Sequence, residues 1–239
     1  MGHEFELPHE ATVGATPEEV WEAISTGPGI DSWFMGRNEV ADGVVRTAFG
    51  PFDMPPSTVT GAEPLRRFAH ASDKGDDGRF VAYEFMIEGR ERGSTLIRMV
   101  TSGFLPGDDW QDEFEAMSRG LELYVATLAE YLGHFAGRAA TPLTEFGPPV
   151  TDWPDAWKRL NAALGGPPSP GDRVRFGPGD RFEGVVYHRN SQTVGIRSGE
   201  AMYRFLQGFG GSMIASHLLF ASADDQGPAW RAWLADLYA

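Results

Sequence analysis

The chain of 239 residues contains no cysteine. Disulfides, thiolate metal ligands and cysteine nucleophiles are therefore excluded. Positive charge is scarce: 20 Lys and Arg stand against 34 Asp and Glu, for a net charge of −14. A surface that acidic opposes a phosphate backbone or an anionic membrane, so no nucleic-acid partner is expected. No apolar run approaches the roughly 20 residues that a membrane-spanning helix needs. The segment from Met1 to Thr12 lacks a basic start followed by an apolar stretch. Glu6 breaks the myristoylation pattern that Met1-Gly2 suggests. These absences lead to the expectation of a cytoplasmic protein without a membrane span. Its chemistry must come from His, carboxylates, hydroxyls or the shape of an apolar cavity.

Apolar residues make up 41% of the chain, enough for a sizeable core. Charge is distributed unevenly. As far as Gly137 there are 10 Lys and Arg against 24 Asp and Glu; from Arg138 onward there are 10 of each. Between these parts, Ala139 to Pro149 carries three prolines and no helical or strand period. Proline fixes φ and lacks an N–H, so the stretch reads as an extended linker. The expected division is a first domain over 1–137, a linker over 138–150 and a smaller α+β domain over 151–239.

Alternation in Phe5-x-Leu7 and Ala11-x-Val13 predicts a first strand. Thr16-Pro17-Glu18-Glu19 is a strong helix start, with Thr at the N-cap and Pro at N1. Val20, Trp21 and Ile24 form its apolar face, and Gly27-Pro28-Gly29 ends it. Ile30, Trp33 and Phe34 suggest a second short helical turn. From Glu39 to Phe104 the pattern becomes short alternating runs, which predict an antiparallel meander. In Phe80 to Glu88 the all-apolar face is Val81, Tyr83, Phe85 and Ile87, and this face should point to the core. Trp110, Phe114, Met117, Leu121, Tyr124, Leu128, Leu132 and Phe135 then recur at helical spacing, forming one stripe of a long helix. Asp108, Asp109, Asp112 and Glu113 lie at its start, where the helix dipole favours negative charge.

The order of these elements carries a family likeness, held in Pro17-Glu18-Glu19-Val20-Trp21-Glu22-Ala23-Ile24, Ile30-Asp31-Ser32-Trp33-Phe34 and Leu121-x-x-Tyr124-x-x-x-Leu128-x-x-Tyr131-Leu132. It resembles the START-like (SRPBCC) superfamily over roughly residues 5 to 137. Within it, the sequence is most similar to the branch named after the activator of the heat-shock protein 90 ATPase. The resemblance implies a helix-grip fold, an antiparallel sheet wrapped around a long C-terminal helix with an apolar cavity between them. Members of the superfamily bind lipids, hormones or polyketides, and a minority catalyse.

The second part repeats the order in a shorter form. A helix runs from Asp152 to Leu164, and strand-like runs follow to Ala221. A final helix is introduced by Asp224-Asp225-Gln226 and covers Ala229 to Tyr238. Trp157-x-x-Leu160 echoes Trp21-x-x-Ile24. This predicts either a truncated helix-grip unit lacking the first strand, or an unrelated small α+β unit.

Site chemistry is sparse. Asp73, Asp77, Gly78 and Glu84 match the first, fifth, sixth and twelfth positions of a calcium loop, but Gly75 stands where the third position needs a ligand. A hairpin turn accounts for the same Asp-Gly pair. None of the six His forms a metal-binding spacing with a carboxylate. No nucleotide-binding glycine motif or serine nucleophile elbow occurs. No metal, cofactor or catalytic residue is therefore expected. The cavity candidates are Trp21, Trp33, Phe34, Tyr83, Phe85, Arg98, Trp110, Phe114, Met117, Leu121 and Tyr124. Glu84, Arg98 and Tyr124 are the polar groups that could orient a ligand; Glu84 and Arg98 could equally pair with each other on the solvent face. The leading expectation is a binding module for a hydrophobic small molecule. A protein-interaction module such as a chaperone co-factor, meeting a basic partner, comes second. An enzyme of the cyclase or hydrolase type, using a buried carboxylate such as Glu84 as general base, comes third.

Overall fold

The computed structural model describes residues 2–108, 110–221 and 226–239. Asp109, Asp224 and Asp225, named above at two helix starts, lie outside the described residues. The chain forms two compact units, Met1–Ala139 and Ala140–Ala239.

Unit 1 opens with strand β1 (His3–Val13), which buries Phe5 and Val13 and exposes Glu4, Glu6 and Glu10. Helix α1 (Pro17–Ser25) begins with the predicted capping box. The Thr16 N–H donates to Glu19 Oε2 at 2.8 Å, and the Glu19 N–H donates to Thr16 Oγ1 at 3.3 Å. Helix α2 (Gly27–Asp31) follows at once. The two helices are locked by Trp33, whose buried Nε1 donates to the Ala23 carbonyl at 2.9 Å.

The meander comprises β2 (Arg37–Ala41), β3 (Val44–Phe49), the short β4 (Phe52–Asp53), β5 (Ser57–Glu63), β6 (Arg67–Ser72), β7 (Phe80–Gly89) and β8 (Thr95–Leu105). Helix α3 (Trp110–His134) closes the unit. In the antiparallel sheet the first strand pairs with the last, in the order β1-β8-β7-β6-β5-β3-β2, with β4 beside β3. This is the expected helix-grip arrangement. Gly103 on β8 stands opposite Phe5 and Val81. A Cβ there would come within 2.2 Å of the Phe80 carbonyl and 2.9 Å of the Phe5 ring, so only glycine lets the strands approach.

Unit 2 corrects the sequence reading in one respect. The stretch expected to be a linker is strand β9 (Thr141–Pro149). After it come α4 (Trp153–Ala163), β10 (Arg173–Phe176), β11 (Phe182–Arg189), β12 (Thr193–Arg197), β13 (Ala201–Gln207), β14 (Ser212–Leu219) and α5 (Gly227–Leu237). The sheet order is β10-β11-β12-β13-β14-β9. As in unit 1, the first strand pairs with the last and the rest retreat as a meander. The first strand thought to be missing is therefore present, and its prolines concealed it. β9 is an edge strand, where a missing N–H is tolerated.

The core of unit 2 centres on Trp230, which is fully buried. Its ring centroid lies 4.2 Å from His217, 5.0 Å from Phe182 and 5.7 Å from Tyr203. Replacing it with alanine would leave a large cavity among rings that cannot collapse together. Trp230→Ala should destabilise unit 2 by about 3–5 kcal/mol in urea denaturation; a cost below about 1 kcal/mol would contradict this packing.

Candidate functional site

Alternation in the strands of unit 1 places one row of side chains across the inner face of the sheet. From β1 through β8, β7 and β6 to β5 it reads Leu7, Thr101, Tyr83, His70 and Val59. Adjacent strands lie about 4.8 Å apart, so Thr101 and His70 flank Tyr83 across about 10 Å. The Tyr83 ring stacks on the His70 imidazole at 5.2 Å with a 29° interplanar angle. Burial, with Tyr124 nearby, pushes the Tyr83 phenol pKa upward.

This row contains two polar atoms without hydrogen-bond partners, His70 Nδ1 and Thr101 Oγ1, both shut away from bulk solvent. His70 is 9% exposed. Desolvation pushes its pKa down to about 4, so the imidazole is neutral at pH 7.

Two cavities adjoin this imidazole. One, of about 20 Å³, lies among Ile24, Trp33, Phe34, Val45, Tyr83 and Phe85, with Asn38, Thr47 and His70 as polar wall. Its volume suits about one water molecule and is too small for a ligand. The other measures about 300 Å³, at the small end of the range for ligand sites. Phe34, Met35, Met54, Pro55, Phe80, Val81 and Tyr83 supply its apolar wall; Thr47, Ser57, His70 and Ser72 supply polar groups. Its rim carries Asp73, Asp77 and Arg79 from the β6–β7 turn and Glu113 from the first turns of α3. Arg79 pairs with Glu113 and lies 3.8 Å from Asp77.

The wall from Phe34 to Met35 is held by a polar network behind it. Asn38 Nδ2 donates to Asp31 Oδ1 at 3.2 Å and to the Met35 carbonyl at 3.0 Å. The Thr47 hydroxyl donates to Asn38 Oδ1 at 2.7 Å. Burial raises the Asp31 pKa, and the hydrogen bonds from Asn38 oppose that rise.

The cavity candidates named from sequence are distributed as follows. Phe34 and Tyr83 line the larger cavity; Trp33 and Phe85 join them in the smaller one. Trp21 is half-buried on α1 and meets Phe68 edge-on at 6.1 Å. Trp110 stacks on His3 at 3.9 Å, and Phe114 packs against Phe5 at 5.9 Å. Met117 is half-buried and Leu121 buried. Tyr124 lies 4.9 Å from Phe34, behind the wall. Of the residues on α3, Glu113 is the one that lines the larger cavity.

Arg98 is a correction. It lies on the outer face of β8, half exposed, and pairs with Glu10 at 2.6 Å. Glu84 is also on the outer face and pairs with Arg67 at 2.5 Å. The two do not pair with each other, and Glu84 is not a cavity acid. The calcium-like pattern is likewise interrupted. Its Asp-Gly portion is a hairpin turn, in which the Gly75 N–H donates to the Arg79 carbonyl at 2.9 Å and Gly78 has φ +85°. Its Glu84 lies within β7 and is engaged by Arg67 of β6.

Sequence reasoning missed His70, Thr47, Ser57 and Ser72 as cavity residues. A usable signal was present: Phe68, His70 and Ser72 share the inward period of β6, as Tyr83 and Val81 do on β7.

No family model matches the chain, and no curated protein matches it. Solved structures similar to it include the Aha1 dimer from Colwellia psychrerythraea, 18% identical over 54% of this chain and 96% of that one, with a TM-score of 0.43. MLL2253 from Mesorhizobium loti is 19% identical over 54% of this chain and 96% of that one, with a TM-score of 0.46. DynU16, a protein in the dynemicin biosynthetic locus, is 17% identical over 98% of this chain and 95% of that one, with a TM-score of 0.44. Among the described residues no helix is long and apolar enough to cross a membrane.

The depressed His70 pKa has a consequence for stability. The unfolded chain takes up a proton near the ordinary pKa of 6.5, whereas the folded unit resists it down to about 4. Stability contributed by neutral His70 is therefore complete above pH 6.5 and is lost as pH falls from 6.5 towards 4. The loss over that window is about 3 kcal/mol at most. In His70→Gln the pH slope of the unfolding free energy should be shallower than in wild type across that window. Parallel slopes would contradict a buried neutral imidazole.

Proposed function

We propose that unit 1 binds a small, largely apolar molecule in the 300 Å³ cavity beside Tyr83 and His70. The observation that carries this reading is the cavity itself. It has an apolar wall, few polar groups and a charged rim, the composition of a small-molecule site. Binding would remove the ligand's apolar surface from water, stabilising the complex by about 25 cal/mol per Å² buried. The preformed wall, held by the Asp31, Asn38 and Thr47 network, limits the ordering that binding must impose.

The enzyme reading required a desolvated carboxylate inside the cavity. Glu84 is outside it, and the carboxylates that line it are the exposed Asp73 and Asp77 and the half-buried Glu113, so the carboxylate-base reading finds no support in this geometry. Phe34 and Tyr83 are the proposed ligand contacts among the residues named from sequence. His70, Phe80 and Val81 join them from the structure.

The test is fluorescence titration with N-phenyl-1-naphthylamine, a neutral dye that brightens in apolar surroundings. The wild type should bind it saturably. Val81→Trp, which fills the cavity from β7, should weaken binding at least about ten-fold, a loss of about 1.4 kcal/mol. Arg98→Ala, on the outer face, should bind as wild type does. Equal binding by Val81→Trp and wild type would place the dye elsewhere and contradict the assignment.

A further inference from the structure

We propose that His70 is the hydrogen-bonding anchor of this cavity, and that its ligand is a neutral molecule with an apolar skeleton and one hydroxyl or carbonyl group set against the imidazole. The inference rests on the binding reading above and specifies the chemistry of that same site.

The first argument is the unsatisfied imidazole. His70 is more than nine-tenths buried, it walls both cavities, and its Nδ1 has no hydrogen-bond partner. Buried polar groups are ordinarily paired, because an orphan forfeits its hydration without compensation. The rings beside it offer no partner: Tyr83 covers it face to face at 5.2 Å, and Phe68 lies 5.8 Å away. Nδ1 is sealed even from water, so Nε2, the ring nitrogen that is not sealed, is the one that a partner in the cavities lined by His70 can reach.

The second argument is charge. Burial keeps the imidazole neutral, so it offers both a donor and an acceptor, which suits a hydroxyl or a carbonyl. A carboxylate or sulfonate would find no compensating cation there. Arg79 is the single Arg or Lys among the lining residues, and it is engaged by Glu113 and Asp77. The rim carboxylates Asp73, Asp77 and Glu113 would repel an anion further. A cation would meet carboxylates only at the exposed Asp73 and Asp77 and at Glu113, which Arg79 already engages, and would leave water for an otherwise apolar wall. A neutral polar group is the choice that both the interior and the rim allow.

The experiment uses the full chain and displacement of N-phenyl-1-naphthylamine by three probes of one shape: 2-naphthol, 2-methylnaphthalene and 2-naphthoate. Wild type should bind 2-naphthol about ten-fold more tightly than 2-methylnaphthalene, the size of one hydrogen bond in a dry site. It should bind 2-naphthoate most weakly. In His70→Phe the preference for the naphthol should vanish while 2-methylnaphthalene binds within about two-fold of wild type; His70→Gln should restore most of the preference. A readout independent of any variant is the ¹⁵N resonance of the wild-type His70 imidazole. It should shift with 2-naphthol and stay in place with 2-methylnaphthalene.

Equal affinity of wild type for the naphthol and its methyl analogue would overturn the anchor. So would tightest binding of the naphthoate. In both cases the displaced dye would still report an occupied cavity, and the binding reading would survive. Failure of the dye to bind wild type would overturn both.

Discussion

Helix α3 has a continuous apolar stripe, but the concave sheet beneath it cannot be met equally along the helix's whole length. At 1.5 Å per residue the helix spans about 37 Å. Its second half is sealed: Leu121, Leu123, Tyr124, Thr127, Leu128, Tyr131 and Leu132 are all buried. Its first half is only partly covered, and its aromatic residues lean to one side, Trp110 onto His3 and Phe114 onto Phe5 at the β1 edge. Of that first half, Glu113 alone lines the cavity beside His70, Val81 and Tyr83, whose other walls include Phe34, Met35, Met54 and Pro55.

Unit 2 shows the contrasting outcome on the same chain path. Its closing helix, α5, covers the sheet with fewer turns, and Trp230 fills the interior among Phe182, Tyr203 and His217. Two units with one strand order thus differ in what occupies the middle of the grip. In unit 2 a side chain of the closing helix occupies it. In unit 1 the first turns of the closing helix supply only a rim carboxylate, Glu113.

The stripe from Trp110 to Phe135, the capping box at Thr16 and the inward face of Phe80 to Glu88 were all legible in the sequence. Each depends on local periodicity or on a cap, which a single chain displays directly. Strand β9 was not legible, because Pro142, Pro148 and Pro149 signal a linker unless the edge position of the strand is known. Arg98 was misplaced although its neighbours Ile97 and Met99 share the opposite, inward parity. Of the α3 aromatics expected to wall the cavity, Trp110 and Phe114 pack at the β1 edge and Tyr124 packs on Phe34. Which way a stripe residue leans depends on the curvature of the partner sheet, and no spacing in the sequence encodes that. His70 is not among the cavity candidates named from sequence, although it shares the inward period of β6. Its importance arises from burial, which brings it beside Tyr83 without a partner.

The central claim is that space remains beside Tyr83 and His70, walled by Phe34, Met35, Met54 and Pro55 with Glu113 of α3 at one side. A crystal of the full chain pressurised with xenon tests it most directly, since xenon enters apolar cavities that are large enough and leaves packed cores empty. The account predicts a xenon atom in contact with Tyr83, Val81 and Phe80, and none beside Trp230. Side chains filling that space, with no xenon between Tyr83 and the Phe34–Met35 wall, would contradict it.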